Sequence, residues 1–265
     1  MALFSHKVVW ITGAGTGVGR AVARMFAADG ATLVLIGRRA QKLQSVLGEV
    51  CAAGGRGEAL ALDVCRREAV DAAAAELLER YGRVDVLINN AGTNVRGRKL
   101  GVLTGEDWDQ VVQTNLTGAF NLIHAVLPAM RRRRDGLIVN VSSMAAKRVS
   151  GIAGTAYTAS KHGMNGLSLS VAAEEGGNGI RCTALMPGVV NTEILEKRAV
   201  SYSAEERAQM VQPEDVAAAV RFLALLPARS SVPEMQLVPT LPRAPKPGEV
   251  IFDASAAKLL AERGG

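Results

Sequence analysis

Tyr157 stands four residues before Lys161 in the stretch "TAYTASKHG". On a helix that spacing stacks a phenol and an ammonium on one face, one turn apart. A free phenol has a pKa of ~10, too high to act as a base near neutrality, and a nearby positive charge favours the phenolate. A tyrosine tuned in this way can give a proton to a developing alkoxide or take one from an alcohol. The neighbours are small, which leaves room around the ring for a reacting partner.

A second signal lies near the N-terminus. The apolar run "KVVWIT" leads directly into "TGAGTGVGR" and a helical pattern. Strand, glycine turn and helix start in that order let backbone approach a pyrophosphate, and the helix end favours negative charge. The spacing T-G-x-x-x-G-x-G fits, with Gly13, Gly17 and Gly19, whereas G-x-G-x-x-G does not, because Val18 falls at its third glycine. After the second strand an NAD-binding unit carries an acid for the ribose hydroxyls. Here Gly37 is followed by Arg38 and Arg39. Two guanidiniums and no carboxylate suit a 2′-phosphate, so NADP(H) is preferred and NAD(H) is the second choice.

These groups must be held by elements that the pattern also gives. Strands are expected over 7–12, 31–37, 57–64, 84–90, 136–143 and 180–187, with an edge strand over 233–239. Helices are expected over 17–30, 40–54, 67–82, 104–134 and 213–226, and another holds Tyr157 and Lys161. The 104–134 stretch reads as one helix, capped by Thr104 or Asp107 and kinked near Pro128. Short mobile helices are expected over 192–212, where a lid could form. Alternating strand and helix argues for an α/β architecture, an open parallel sheet with helices on both faces. Residues 1–240 form one core, with no composition break. The proline-rich run from 239 to 250 reads as a linker, and 253–265 as a short helix capped by Asp253. This tail, 241–265, is either loosely docked or reaches a partner subunit.

Composition narrows the function classes. The chain has 265 residues, 48% hydrophobic and 21% charged, with a net charge of +6. The basic residues are dispersed except for Arg131 to Arg134, which end a helical pattern where positive charge is favourable in any protein. No aromatics interleave with them, so nucleic acid is not an expected partner. Three cysteines without a C-x-x-C pair give neither a disulfide framework nor a zinc site. With no apolar run long enough to span a bilayer and no cleavable leader, a reducing cytoplasm is the simplest setting.

The glycine turn, "NNAG" at 89–92, "SS" at 142–143, "YTASK" at 157–161 and "PGVVNT" at 187–192 together resemble the short-chain dehydrogenase/reductase family. The resemblance runs from about Lys7 to Pro239. It implies a single-domain Rossmann-type doubly wound sheet of seven strands in the order 3-2-1-4-5-6-7. It also implies a homodimer or homotetramer and hydride transfer between NADP(H) and a small alcohol or carbonyl compound. Carried over residue by residue, Tyr157 is the general acid/base and Lys161 lowers its pKa and bonds the nicotinamide ribose. Ser143 polarises the substrate carbonyl, and Asn115 holds a water in a relay with Lys161. The cofactor is implied to meet Gly13, Thr16, Gly17, Val18 and Gly19 at the turn, then Arg38, Arg39, Asp63 and Val64 around the adenosine. Asn90, Ala91 and Gly92 are implied to line its ribose side, and Pro187, Gly188, Val190 and Thr192 its carboxamide side.

Two departures bear on substrate. Ser143 lies fourteen residues before Tyr157 where thirteen is common, which implies one extra loop residue and makes Ser142 the fallback. The end "SSVPEMQLVPT" replaces the frequent G-x-x-x-x-x-D-G-G and is similar to the branch acting on 3-hydroxy acids and other small carbonyl compounds. Arg96, Arg98, Lys99, Lys147 and Arg148 flank the expected substrate segments and could bind an anionic group. A cofactor-binding regulatory or scaffold protein, or an epimerase or dehydratase using the same machinery, is the alternative on this fold.

Overall fold

Every residue of β1 (Val8–Thr12) is buried, as a strand covered on both faces must be. Its side chains alternate between two cores. Val9 and Ile11 join one cluster, while Val8 and Trp10 join the other. Strand β2 (Thr32–Gly37) divides in the same way, Leu33 and Leu35 against Val34 and Ile36. A one-residue slip would exchange the two sets, so the packing itself fixes the register. The computed structural model describes residues 2–197 and 201–241, with the backbone of Ile251 and Phe252 besides.

The sheet continues with β3 (Arg56–Ala61), β4 (Val86–Asn89), β5 (Gly136–Val141), β6 (Ile180–Pro187) and β7 (Glu234–Leu237). All seven strands pair in parallel, in the order 3-2-1-4-5-6-7. Helices α1 (Gly17–Ala28), α2 (Ala40–Ala52) and α8 (Pro213–Leu225) cover one face through residues such as Phe26, Leu43 and Val220. Helices α3 (Arg67–Tyr81), α5 (Gly118–Arg133) and α6 (Thr155–Glu175) cover the other through Val70, Leu122 and Val171. This is the doubly wound α/β architecture that the sequence predicts.

Several boundaries differ from the sequence expectation. Helix α1 stops at Ala28, and Gly30 follows with φ 87°. Strand β3 ends at Ala61 rather than 64, which leaves Asp63 and Val64 in the loop behind it; the Asp63 carboxylate accepts the Cys65 N–H at 3.0 Å. Strand β5 ends at Val141, so Ser142 and Ser143 lie beyond it.

The expected single helix over 104–134 is three pieces on a continuous helical backbone. They are α4 (Gly105–Val112), a π-turn over Gln113–Thr117, and α5. Of the two candidate caps the Thr104 hydroxyl is the one used, accepting the Asp107 N–H at 3.1 Å. Pro128 sits inside α5, which continues to Arg133. The arginine run serves the helix end. Arg131 Nε donates to Glu175 at 2.8 Å, Arg133 to Asp85 at 3.3 Å, and Arg134 to the Gly177 carbonyl at 2.8 Å.

Between β6 and α8 lie a 3-10 turn over Glu193–Lys197 and the short helix α7 (Ala204–Ala208), started by a capping box on Ser203. Residues 198–200 lie outside the described residues, as do most of the proline-rich run and the helix expected behind Asp253. Ile251–Phe252 pairs antiparallel with Val149–Ser150 in the loop before α6. No helix among the described residues is long and apolar enough to cross a membrane. No cluster of three or more potential metal ligands occurs among them.

Candidate active site

The strand order reverses between β1 and β4, and a crevice opens there at the carboxyl ends of the strands. Thr12 clasps the two strands. Its Oγ1 accepts the Asn90 and Ala91 N–H groups at 2.9 Å each and donates to the Ile88 carbonyl at 3.3 Å. The Asn90 amide donates to the Thr12 and Gly13 carbonyls at 3.1 and 3.3 Å, so it fixes the start of the glycine turn.

The three glycines of the turn have distinct reasons. Gly13 and Gly17 hold φ 64° and 51°, the left-handed region that suits glycine. Gly19 is a packing requirement, since a Cβ there would lie 2.3 Å from the Gly13 carbonyl oxygen and 2.8 Å from the Asn90 Nδ2. Thr16 stands at the N-cap of α1 in extended backbone but makes no side-chain cap bond. The first N–H groups of α1 therefore get no cap from Thr16, at an end that favours an anion.

This crevice is part of one cavity of about 1280 Å³. From the turn come Gly13, Thr16, Gly17 and Val18, and after β2 and β3 come Arg38, Arg39, Asp63 and Val64. Asn90, Ala91 and Gly92 follow β4, and Pro187, Gly188, Val190 and Thr192 follow β6. Ser143, Tyr157 and Lys161 line the same space. Of the residues assigned to catalysis and to the cofactor, Gly19 and Asn115 alone are not in its wall; both stand directly behind it, with Gly19 under Gly13 and Asn115 against Gly92.

Lys161 is 3% exposed. Its Nζ donates to the Val141 carbonyl at 2.8 Å and lies 5.7 Å from the centre of the Tyr157 ring. Burial pulls the ammonium down to about 8. It stays predominantly charged at neutral pH, in a medium where its charge acts strongly on a neighbouring phenol. Ser143 Oγ accepts the Ala145 N–H at 3.1 Å, which leaves its hydroxyl proton to donate into the cavity. Ser142 also borders the cavity but is buried at 2%, and its hydroxyl donates to Asn165 Oδ1 at 2.6 Å, so its proton is engaged in the core.

Asn115 lies on the π-turn, a feature frequent at functional sites. Its Oδ1 accepts the Thr93 N–H at 2.7 Å, and its Nδ2 donates to the Thr93 carbonyl at 3.0 Å and to Ser160 Oγ at 3.1 Å. Both side-chain donors are thus engaged. A Cβ built on Gly92 would lie 3.5 Å from Asn115 Oδ1 and 3.9 Å from Lys161 Nζ, so these two atoms border one gap that glycine keeps open.

Sequence reading did not single out the polar ladder behind the site. Asn89 Nδ2 donates to Asn140 Oδ1 at 2.9 Å, and Asn140 Nδ2 donates to Ser168 Oγ at 2.8 Å, joining β4, β5 and α6 inside the core. The signal was a lone asparagine inside the otherwise apolar "GLIVNV". Of the flanking basic residues, Arg96, Arg98 and Arg148 line the cavity. Arg98 braces the wall, donating to the Val95 and Ile152 carbonyls at 2.6 and 3.0 Å. Lys147 is paired with Glu234 at 2.8 Å, and neither it nor Lys99 is in the wall.

A glycine cradle that a single Cβ would fill, beside a helix start without a side-chain cap, fits the pyrophosphate of a dinucleotide. Comparison with known proteins agrees in kind. Residues 7–202 match the family model described as short chain dehydrogenase. A 3beta-hydroxysteroid dehydrogenase of Mediterraneibacter gnavus is 39% identical over 197 residues, 74% of this chain and 71% of that protein. A 3-oxoacyl-[acyl-carrier-protein] reductase of Thermotoga maritima is 37% identical over 227 residues, 82% of this chain and 90% of the other. A metagenomic short-chain oxidoreductase solved in complex with NADP superposes with a TM-score of 0.79 at 36% identity, covering 91% of this chain and all of that one. The sheet order, the turn, the cavity and these matches together make the chain a member of the short-chain dehydrogenase/reductase family of oxidoreductases.

Proposed function

We propose that this protein transfers a hydride between NADP(H) and a small alcohol or carbonyl substrate. The observation that carries the reading is that Tyr157, set beside buried Lys161, lines the same cavity as the glycine turn. NADP as the ligand is supported by Arg38 and Arg39 in the wall, on a segment after β2 that itself carries no acidic residue. It is supported also by the similar oxidoreductase solved with NADP. Gly13, Thr16, Gly17 and Val18 would cradle the pyrophosphate, with Gly19 packed behind Gly13 and with Asp63 and Val64 beside the adenosine. Asn90, Ala91 and Gly92 would flank the ribose, and Pro187, Gly188, Val190 and Thr192 the carboxamide. When bound, the nicotinamide ring supplies the hydride chemistry.

The chain's own residues do the rest. The Ser143 hydroxyl donates to the substrate oxygen and stabilises negative charge as it grows there. Tyr157 gives that oxygen a proton in reduction and removes it in oxidation. Lys161 favours the phenolate by its charge. Asn115 Oδ1 and Lys161 Nζ border the gap at Gly92, where a water could carry the proton onward. A 3-hydroxy acid or another anionic compound is the favoured substrate class, because Arg96 and Arg148 line the cavity. Exposed Trp108, Phe120 and Leu169 on the long helices support assembly as a homodimer or homotetramer.

Tyr157→Phe tests the assignment. Substrate-dependent NADPH turnover disappears while fluorescence titration still shows NADPH binding. A fully active Tyr157→Phe enzyme would reject the role of the phenol. A panel of alcohols and carbonyls with NAD(H) and NADP(H) then identifies the substrate class.

A further inference from the structure

We infer that Glu193 weakens the NADP(H) preference of this site and couples nucleotide binding to the segment over the cavity. This rests on the cofactor reading above and adds a residue which that reading does not use. Arg39 opens α2 and is held at its backbone by the helix start. Its Nη2 donates to Thr16 Oγ1 at 3.1 Å, inside the glycine turn. Its Nη1 lies 3.7 Å from Glu193 Oε2, the first residue of the 3-10 turn after β6. A Cβ on Gly17 would lie 3.0 Å from Thr192 Cγ2, so the same segment rests on the turn at a second point. The base of the segment is closed by backbone bonds, Asn191 N–H to the Val211 carbonyl at 2.9 Å and Val211 N–H to the Val189 carbonyl at 3.2 Å.

Arg39 thus joins the turn to the covering segment, through the guanidinium that a 2′-phosphate would require. The ion pair is loose. Its side chains are 59% and 54% exposed, and such pairs are weak in water. A phosphate offers more acceptor oxygens and fits the planar fork bidentately, so it displaces the carboxylate. The displaced Glu193 then faces a like charge and lifts away. A nucleotide without the 2′-phosphate makes no such demand, and the latch stays closed. Glu193 therefore opposes NADP(H) specifically, and the two nucleotides leave the 192–197 segment in different states.

The experiment is a fluorescence titration of NADPH and NADH on wild type, Glu193→Gln, Arg39→Ala and the double variant. Glu193→Gln tightens NADPH about threefold and leaves NADH unchanged, the size expected of an exposed pair. In the Arg39→Ala background the same substitution has no effect on either nucleotide. Hydrogen exchange across 192–197 rises when NADP+ binds to wild type and not when NAD+ binds. An equal shift for both nucleotides, weaker NADPH binding, or an effect that survives Arg39→Ala overturns the inference while leaving the oxidoreductase reading intact. If wild type binds neither nucleotide, both fall.

Discussion

Lys161 reaches from α6 to the end of β5, where its Nζ donates to the Val141 carbonyl at 2.8 Å. The bond fixes the depth of the ammonium under the Tyr157 ring, 5.7 Å from its centre. Helix and sheet therefore meet at the charge the proposed chemistry needs. The polar ladder Asn89–Asn140–Ser168 ties α6 to the same strands, so the pair is held from two places.

That position is costly for folding. Burial lowers Lys161 from 10.5 to about 8, so the unfolded chain binds this proton more tightly than the folded one between those values. Below pH 8 both states are protonated and the penalty is fully present; stability recovers as pH rises toward 10.5. Lys161→Met abolishes turnover. It also makes the ligand-free protein more stable at pH 7, by on the order of 1 kcal/mol after the lost bond to Val141 is counted. Thermal unfolding of both proteins at pH 7 and pH 10 checks this: the gap must narrow at the higher pH.

The two adjacent serines separate cleanly. Ser143→Ala removes a donor facing the cavity and lowers kcat about 10²–10³-fold, with little change in melting temperature. Ser142→Ala leaves Asn165 Oδ1 without its 2.6 Å donor in the core and costs about 1–3 kcal/mol of stability. Steady-state kinetics and chemical denaturation of the two variants give opposite patterns. A larger kcat loss in Ser142→Ala would exchange their roles.

Much of this was legible in the sequence. Strand and helix periods gave the doubly wound sheet, because parallel strands buried on both faces read as short apolar runs between helices. The spacing of Gly13, Gly17 and Gly19 gave the turn, and the Tyr157–Lys161 interval gave the pair. The π-turn at Asn115 was not legible, since the weak helix formers Thr114, Asn115 and Thr117 lower helix propensity without marking a π-turn, and the extra residue shows only in the bonding. The role of Glu193 was hidden for a similar reason. It lies far along the chain from Arg39, and only the folded segment brings them together. Ser142 and Ser143 could not be told apart in the sequence, because only the folded chain shows the Ser142 hydroxyl bonded to Asn165.

Glycine at 19 is a requirement of shape, and a matched control exposes it. Gly19→Ala drives a Cβ toward the Gly13 carbonyl oxygen and Asn90 Nδ2, which reshapes the turn and weakens NADPH binding by at least tenfold. It also costs about 1–3 kcal/mol through overpacking. Gly48 lies exposed in α2 with nothing within 4 Å of a built Cβ. Gly48→Ala therefore gains about 0.5–1 kcal/mol of helix stability and leaves NADPH binding unchanged. Paired denaturation and NADPH titrations must diverge in this way.

Asp85 contributes to the acid limb of stability from the far end of the sheet. Its side chain is 1% exposed, and it accepts the Val8 N–H at 2.9 Å, Lys7 at 3.2 Å and Arg133 at 3.3 Å, with Arg83 bound as well. Burial pushes the carboxyl up, but the Arg83 bond, the Val8 N–H and the Lys7 charge outweigh it and hold the pKa below its ordinary 3.8. The folded state thus releases this proton more readily than the unfolded chain. Asp85 stabilises the protein above the unfolded value of ~3.9, and the contribution is lost as pH falls through the folded value. Asp85→Asn removes the charge from three cations and costs about 2 kcal/mol at pH 7. Its deficit against wild type must shrink as denaturation is repeated from pH 5 down to pH 3; a deficit that stays constant would mean the carboxylate acts by shape alone.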